Sequence, residues 1–366
     1  MKKMMVITNI PTPYRVPFFN SLNDLLYKVG VELIVVFGAR SYSRRHWEVS
    51  ERSFKFKYVF LESRELGINS GESASFSYVG LFRLMYRYSP DVVVFGGFGV
   101  CAVKSIVYAK LFFKKTYVWS GEIHNKHRRV SWVRKAYRRL IGLLVSGGVA
   151  YGSTAKKYLE DICINRKSIS IAKNSVDVEY FLSTPLKEPN ERRILYVGNL
   201  ERLKRVDLII KSVEVLARKN VNFTLDLVGD GSARQELESY VDSNGLSSMV
   251  NFHGFIQKED LPKFYESASL FMFPSEYDIW GLVVVESLAS GVPVIASEHP
   301  GCVAELISSG ENGFIVDFNN SNQVAQKVEE LLGDSDKLRQ FKLNARRTAV
   351  ESCSLEKMAE GFLCLV

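Results

Sequence analysis

Short apolar runs, rich in Val, Ile, Leu and Phe, recur along the chain between longer segments with helical spacing. In the first half Met4–Thr8, Val31–Phe37, Val92–Phe95, Thr116–Trp119, Val149–Tyr151 and Ser168–Ile171 read as strands. In the second half Ile194–Val197, Thr224–Val228, Val250–Phe252, Leu270–Phe273, Val292–Ala296 and Phe314–Val316 do so. These runs are almost continuously apolar rather than alternating, so each strand must be covered on both faces. Such strands, alternating with helices, predict parallel sheets in doubly wound α/β units. Each half is long enough for one unit. The joint is expected at 183–191, STPLKEPNE, which is polar and holds two prolines. This predicts domains over 1–182 and 192–366, with the last helix open to packing back on the first domain.

At 366 residues the chain exceeds one core, and its 46% hydrophobic and 24% charged content is that of a globular protein. Five scattered cysteines form no CxxC and no Cys/His cluster, which argues against a disulfide framework and a zinc site and fits reduced thiols in the cytoplasm. The opening MKKMMVITNIPTP is broken by Pro11 and Pro13 and reads as a first strand and loop, not a signal peptide. The longest apolar stretch, Val92–Phe113, contains Lys104, Lys110 and three glycines, and makes a poor membrane span.

Charge changes the picture. Residues 1–185 hold 29 Lys+Arg against 13 Asp+Glu, a net of +16, while 186–366 hold 19 against 27, a net of −8. The cations concentrate in the Lys126–Arg139 segment, with Trp132 and Tyr137 interleaved and an apolar run, Leu140–Leu144, behind. As a helix, this segment suits an anionic membrane surface. The plain alternative is a solvated basic helix packed on its own domain through Trp132 and Leu140. Nucleic acid is a weaker fit, because no recognised binding motif accompanies the charge.

In doubly wound sheets, ligands bind beyond the carboxyl ends of the strands. The most informative such segment is FPSEYDIWGLVVVESLASGVPVIAS, 273–297. It places Asp278 before a helix start and Glu286 about a turn and a half inside. A helix N-terminus offers free N–H groups and a positive dipole end to an anion, and the inner Glu can accept from hydroxyls, as a nucleotide sugar requires. The same string also serves as ordinary strand–loop–helix punctuation. VGNLERLKRVDLII, 197–210, brings Lys204, Arg205 and Arg202 to a turn after a strand, where a diphosphate could be gripped. LVGDGS places Gly229 and Gly231 after another strand but lacks G-x-G-x-x-G, which argues against a nicotinamide site. Among the histidines, His124 in WSGEIHN is the functional candidate, together with Glu122. His46, His127, His253 and His299 read as structural or surface residues. Asp334 and Asp336 read as a surface turn, and no protein-held metal is expected.

Taken in order, N174-S-V-D-V-E-Y-F181, V197-G-N-L-E-R-L-K204, L227-V-G-D-G231, V250-N-F-H-G-F255, P274-S-E-Y-D-I-W-G-L-V-V-V-E286, G291-V-P-V-I-A296 and E311-N-G-F314 resemble the family 4 retaining glycosyltransferases. The likeness covers about residues 150–360. The first half is similar more loosely, in I10-P-T-P-Y-R15, S89-P-D-V-V94 and W119-S-G-E122.

The resemblance implies the GT-B fold, two Rossmann-like domains facing across a cleft, and a UDP- or GDP-sugar donor with no cofactor. It implies transfer of a hexose-type sugar to a glycan acceptor, in surface polysaccharide or lipopolysaccharide assembly. Glu286 then corresponds to the acid on the ribose, Asp278 to the acid on the donor sugar, and Lys204 to the phosphate-binding lysine. Gly281 and Leu282 would offer backbone N–H groups, and Ile256 backbone contact to the base. Gly229 belongs to the same donor side, and Arg15, Glu122 and His124 to the acceptor side. Two positions depart from the family pattern. Asp278 is one methylene shorter than the usual Glu, and Asn199 stands where many members carry Arg, leaving Arg202 or Arg205 as the substitute cation. With the basic first half, the resemblance suggests a lipid-linked acceptor at the inner face of the plasma membrane. Two other classes fit parts of the pattern: a nucleotide-sugar epimerase or inactive binding relative, and a basic nucleic-acid-binding protein.

Overall fold

The apolar runs become two parallel sheets, each in its own unit. The computed structural model describes all residues except 42–48, 69–73, 126–129, 184 and 187–191, and omits the side chains of 67–68 and 74–75. The first unit comprises Met1–Asp177 together with Leu355–Val366, and the second Val178–Ser354. The division therefore falls at Asp177/Val178, ahead of the 183–191 joint expected from composition. Most of that segment lies outside the described residues.

The strands of the first unit are β1 (Lys2–Thr8), β2 (Val31–Phe37), β3 (Lys57–Phe60), β4 (Glu65–Ile68), β5 (Ala74–Phe76), β6 (Val92–Gly96), β7 (Lys115–Ser120), β8 (Gly147–Ala150) and β9 (Ile169–Ile171). Seven form a parallel sheet in the order β3-β2-β1-β6-β7-β8-β9, while β4 and β5 pair separately as an antiparallel hairpin. The central strand shows why: Met4, Met5, Val6 and Ile7 are all fully buried, so consecutive side chains need cover on opposite faces. The edge strand β3 was not among the apolar runs. It lies in FKFKYVF, where apolar residues alternate with lysine. Phe54, Phe56, Tyr58 and Phe60 form an aromatic row, and Phe60 stacks on Phe37 of β2 at 5.3 Å.

The second unit contains β10 (Arg193–Val197), β11 (Thr224–Val228), β12 (Val250–Gly254), β13 (Leu270–Phe273), β14 (Val294–Ala296) and β15 (Gly313–Ile315). Its sheet runs β12-β11-β10-β13-β14-β15, all parallel. In both sheets chain order reverses once, between β1 and β6 and between β10 and β13. At such a reversal the connecting helices leave to opposite sides, opening a crevice beyond the strand ends.

The last helix, Leu355–Leu363, belongs to the first unit. It packs against the helix Arg15–Lys28, and Phe362 lies 5.4 Å from Phe18 and 5.2 Å from Trp119 between ring centroids. Phe362 is fully buried, so Phe362→Ala should cost roughly 3–5 kcal/mol. Chemical denaturation should show the loss in the transition of the N-terminal unit, and an unchanged midpoint would contradict this packing role.

Candidate active site

The reversal between β10 and β13 gathers the polar residues of two loops. After β10 the chain passes Gly198 and Asn199 and makes a short turn, Arg202–Lys204, before the helix Val206–Arg218. After β13 it runs through Pro274–Gly281 into the helix Leu282–Ala289. Three ties bind these loops. Lys204 Nζ donates to Asp278 Oδ2 at 2.7 Å, with both side chains 22% exposed. Arg205 pairs with Glu276. The Glu276 N–H donates to the Leu203 carbonyl at 3.1 Å. Asp278 Oδ1 also accepts from the Trp280 N–H at 3.2 Å. Both oxygens of Asp278 are thus engaged, one shaping its own loop and the other holding the lysine.

Gly281 starts the helix in a left-handed conformation, φ +101°. A Cβ there would lie 3.0 Å from Phe273 Cε1 and 3.2 Å from Cys302 Sγ, so only glycine makes this turn without strain. The helix has no side-chain cap and no acid in its first turn. Among the described residues, no acceptor meets the N–H groups of Leu282 and Val283. This leaves a positive helix end next to Lys204 and Asp278.

Glu286 sits further along the same helix, partly buried among fully buried neighbours such as Val285 and Leu288. The hydroxyl of the fully buried Tyr265 donates to its Oε2 at 3.0 Å. Burial raises its pKa above the ordinary glutamate range, while the Tyr265 hydrogen bond and the charge of Lys258 pull the other way. Tyr265 and Lys258 escaped the sequence reading. The only available signal was that a tyrosine on an apolar helix face must find a partner for its hydroxyl.

The remaining candidates divide. Arg205 takes φ +52° and is held by Glu276 and by Asp207 at 3.1 Å, so it stays at the crevice. Arg202 turns outward, 85% exposed, to Glu236 at 3.2 Å. Of the two substitutes for the missing cation at 199, the geometry brings only Arg205 to the site. Asn199 is exposed, and its carbonyl accepts from the Tyr196 hydroxyl at 2.9 Å. A Cβ on Gly229 would fall 1.9 Å from the Gly198 carbonyl oxygen, so this glycine permits backbone contact between strand ends. Ile256 is partly buried in the loop after β12. A cavity of about 480 Å³ borders the site through Arg205 and Glu276 but touches none of Lys204, Asp278 and Glu286. His253 has the structural role expected of it, paired at 2.7 Å with the buried Asp226.

In the first unit the three acceptor-side candidates occupy two places. Arg15 is 7% exposed, donates to the Tyr151 hydroxyl at 2.6 Å and lies over the Trp119 ring at 4.2 Å. Its second terminal nitrogen is buried with no hydrogen-bond partner. Glu122 is held at 3.0 Å by Arg138, and His124 by Asp161 at 2.7 Å on an exposed surface. His46 and His127 lie outside the described residues.

Residues 181–348 match the family described as glycosyl transferases group 1. The structure superposes on Anabaena HepE, solved in complex with UDP, with a TM-score of 0.75 over 98% of both chains at 16% identity. The fold is GT-B. This chain is 26% identical over 322 residues, 84% of its length, to a Campylobacter jejuni diphospho-undecaprenol 4-alpha-N-acetylgalactosaminyltransferase, of which it covers 80%. To an uncharacterised Haemophilus influenzae glycosyltransferase it is 29% identical over 175 residues. There it spans about half the length of the relative, 49%. The loops Asn199–Arg205 and Pro274–Glu286 both fall within the matched segment.

The folded-state pKa of Glu286 lies above its unfolded value. Its stabilising contribution is therefore complete below the unfolded value and is lost as pH rises through the folded one. Glu286→Gln should melt at or above the parent temperature near about pH 8, with the gap closing towards about pH 4. A gap that widens on acidification would refute this burial cost.

Proposed function

We propose that this protein is a retaining glycosyltransferase that moves a hexose-type sugar from a UDP- or GDP-sugar to a glycan acceptor carried on a lipid diphosphate. The observation that carries the reading is the conjunction at the β10/β13 reversal of Lys204, an uncapped helix end and a partly buried carboxylate, Glu286. Lys204 and the N–H groups at Leu282 and Val283 offer positive charge to the donor's diphosphate. Glu286, with Oε2 held by Tyr265, accepts from the ribose hydroxyls through Oε1. Asp278 positions the sugar through its remaining lone pairs.

In the reaction the bond from the anomeric carbon to the diphosphate oxygen breaks and a bond to the acceptor oxygen forms on the same face. The acceptor's proton passes to the departing diphosphate. Negative charge grows on that leaving group, and fixed cations and dipoles stabilise it most at that moment. Lys204 and the helix end supply this from the protein itself, in keeping with transfer that needs no metal. Arg15, with a buried donor to spare, suits the acceptor's phosphates, and the enzyme is read as working at the inner face of the plasma membrane in surface polysaccharide or lipopolysaccharide assembly. The Campylobacter relative, named for a diphospho-undecaprenol substrate, supports a lipid-linked acceptor.

A thermal-shift screen with UDP, GDP, ADP and their sugar conjugates, without metal, tests the donor site, because a ligand of the native state raises its melting point by mass action. One nucleotide series should shift the parent and leave Glu286→Ala unmoved; no shift with any of them would overturn the reading. Asp278→Glu should keep the fold and change turnover or donor preference by about tenfold. Identical kinetics across a donor panel would remove Asp278 from the sugar.

A further inference from the structure

Three helices of the first unit lie outside the candidate donor site and share an unusual surface. They are Leu81–Tyr88, Val100–Phe112 and Trp132–Leu144, and the second packs on both of the others. In Trp132–Leu144 the apolar stripe faces solvent. Trp132 is 80% exposed, Leu140 55% and Leu143 67%, spaced one to two turns apart, whereas only Ile141 and Gly142 are buried. The alternative in which Trp132 and Leu140 pack on their own domain therefore fails.

Val100–Phe112 buries Cys101, Ile106, Tyr108 and Ala109 yet also turns an apolar stripe to solvent. Val103, Val107 and Leu111 are spaced at i, i+4 and i+8, and are 46%, 45% and 61% exposed. Beyond its end Phe113 is 96% exposed and held at φ +52°, a left-handed conformation that disfavours a bulky residue. From the helix Leu81–Tyr88, Tyr86 joins them, 5.7 Å from the Phe112 ring.

Among the described residues of the unit nothing covers these side chains, and their burial would be favourable. The charge on the same helices identifies what covers them. LFRLMYRY, VCAVKSIVYAKLF and WVRKAYRRLIGLL contain no Asp or Glu, and their Arg83, Arg87, Lys110, Arg134, Lys135 and Arg139 are exposed, while Lys104 donates to the Ser77 and Tyr78 carbonyls and Arg138 pairs with Glu122. Arg134, Lys135 and Arg139 are exposed beside the Trp132 stripe. The core of a protein interface is depleted of charged residues, whereas exposed apolar residues interleaved with cations match an anionic lipid surface, acyl boundary below and headgroups above.

We propose that the exposed face of these three helices is a membrane-docking surface, on which Trp132, Leu140, Leu143, Val107, Leu111 and Phe113 enter the acyl boundary of an anionic leaflet. The proposal deepens the lipid-linked reading of the substrate. Of the basic segment Lys126–Arg139, residues 126–129 lie outside the described residues, and the proposal enlarges the rest into a surface that inserts as well as attracts.

The test is co-sedimentation of the full chain, without substrate, with vesicles containing phosphatidylglycerol and with vesicles of phosphatidylcholine alone. The parent should bind the anionic vesicles and retain part of that binding at high salt, because insertion is not screened. Leu140→Ser with Leu143→Ser should remove the salt-resistant part. Arg134→Gln with Lys135→Gln and Arg139→Gln should weaken binding about fivefold for each cation lost. Val107→Ser with Leu111→Ser checks the second helix independently. Each variant should keep the parent's melting temperature and nucleotide affinity, which distinguishes failure here from failure of the donor site. Absence of vesicle binding, binding indifferent to both sets of changes, or a self-association that the Leu140/Leu143 variant abolishes without any lipid binding would overturn the proposal.

Discussion

The ion pair between Lys204 and Asp278 ties together the two loops on which the candidate site depends. It exists because β10 and β13 are neighbours in the sheet although two strands separate them in sequence. A parallel pair joined directly would carry its crossover over one face, and the two loop ends would leave together. Reversal sends the helices Val206–Arg218 and Leu282–Ala289 apart and leaves the loop residues to satisfy one another. Lys204 and Asp278 do so by direct contact, with Arg205–Glu276 and a backbone hydrogen bond beside them. The arrangement also accounts for a shortened acid at 278. One oxygen must reach back to the Trp280 N–H while the other faces the lysine, and aspartate is well suited to bonding its own backbone two residues on.

Glu286 illustrates a different compromise. A carboxylate on a mostly buried helix is costly to ionise. Tyr265 offsets part of that cost with a hydrogen bond but contributes no charge. The helix would be more comfortable with an apolar or amide residue there, so the acid is retained for something other than folding. Its position on the helix that opens with an uncapped N-terminus puts a carboxylate and a positive helix end on one rigid support.

Much of this was legible in the sequence. Twelve apolar runs gave the cores of twelve strands, because parallel strands buried on both faces are hard to mistake. β3 escaped because an edge strand alternates, and its lysines broke the run. The short hairpin β4–β5 lacked a distinct apolar signature. The convergence of Lys204 and Asp278 was also legible, since both were read as following strand ends, while the roles of Lys204, Asp278 and Glu286 come from the resemblance alone. Partners drawn from distant positions were not: Tyr265 for Glu286, Glu276 for Arg205 and Tyr151 for Arg15 depend on tertiary contact. The direction of the Trp132 stripe was equally hidden, since amphipathic spacing gives a helix two faces without telling which one meets the core.

The helix Leu355–Leu363 has a consequence for the life of the chain before it is a protein. It lies after the whole C-terminal unit in sequence yet supplies Met358, Ala359 and Phe362 to the core of the N-terminal one. A ribosome adding about 5–20 residues per second needs roughly 10–35 s to make the intervening 178–354 segment. Throughout that interval Phe18 and Trp119 lack the Phe362 ring that packs on them. The half that is synthesised first thus cannot complete its core until the other half has been made.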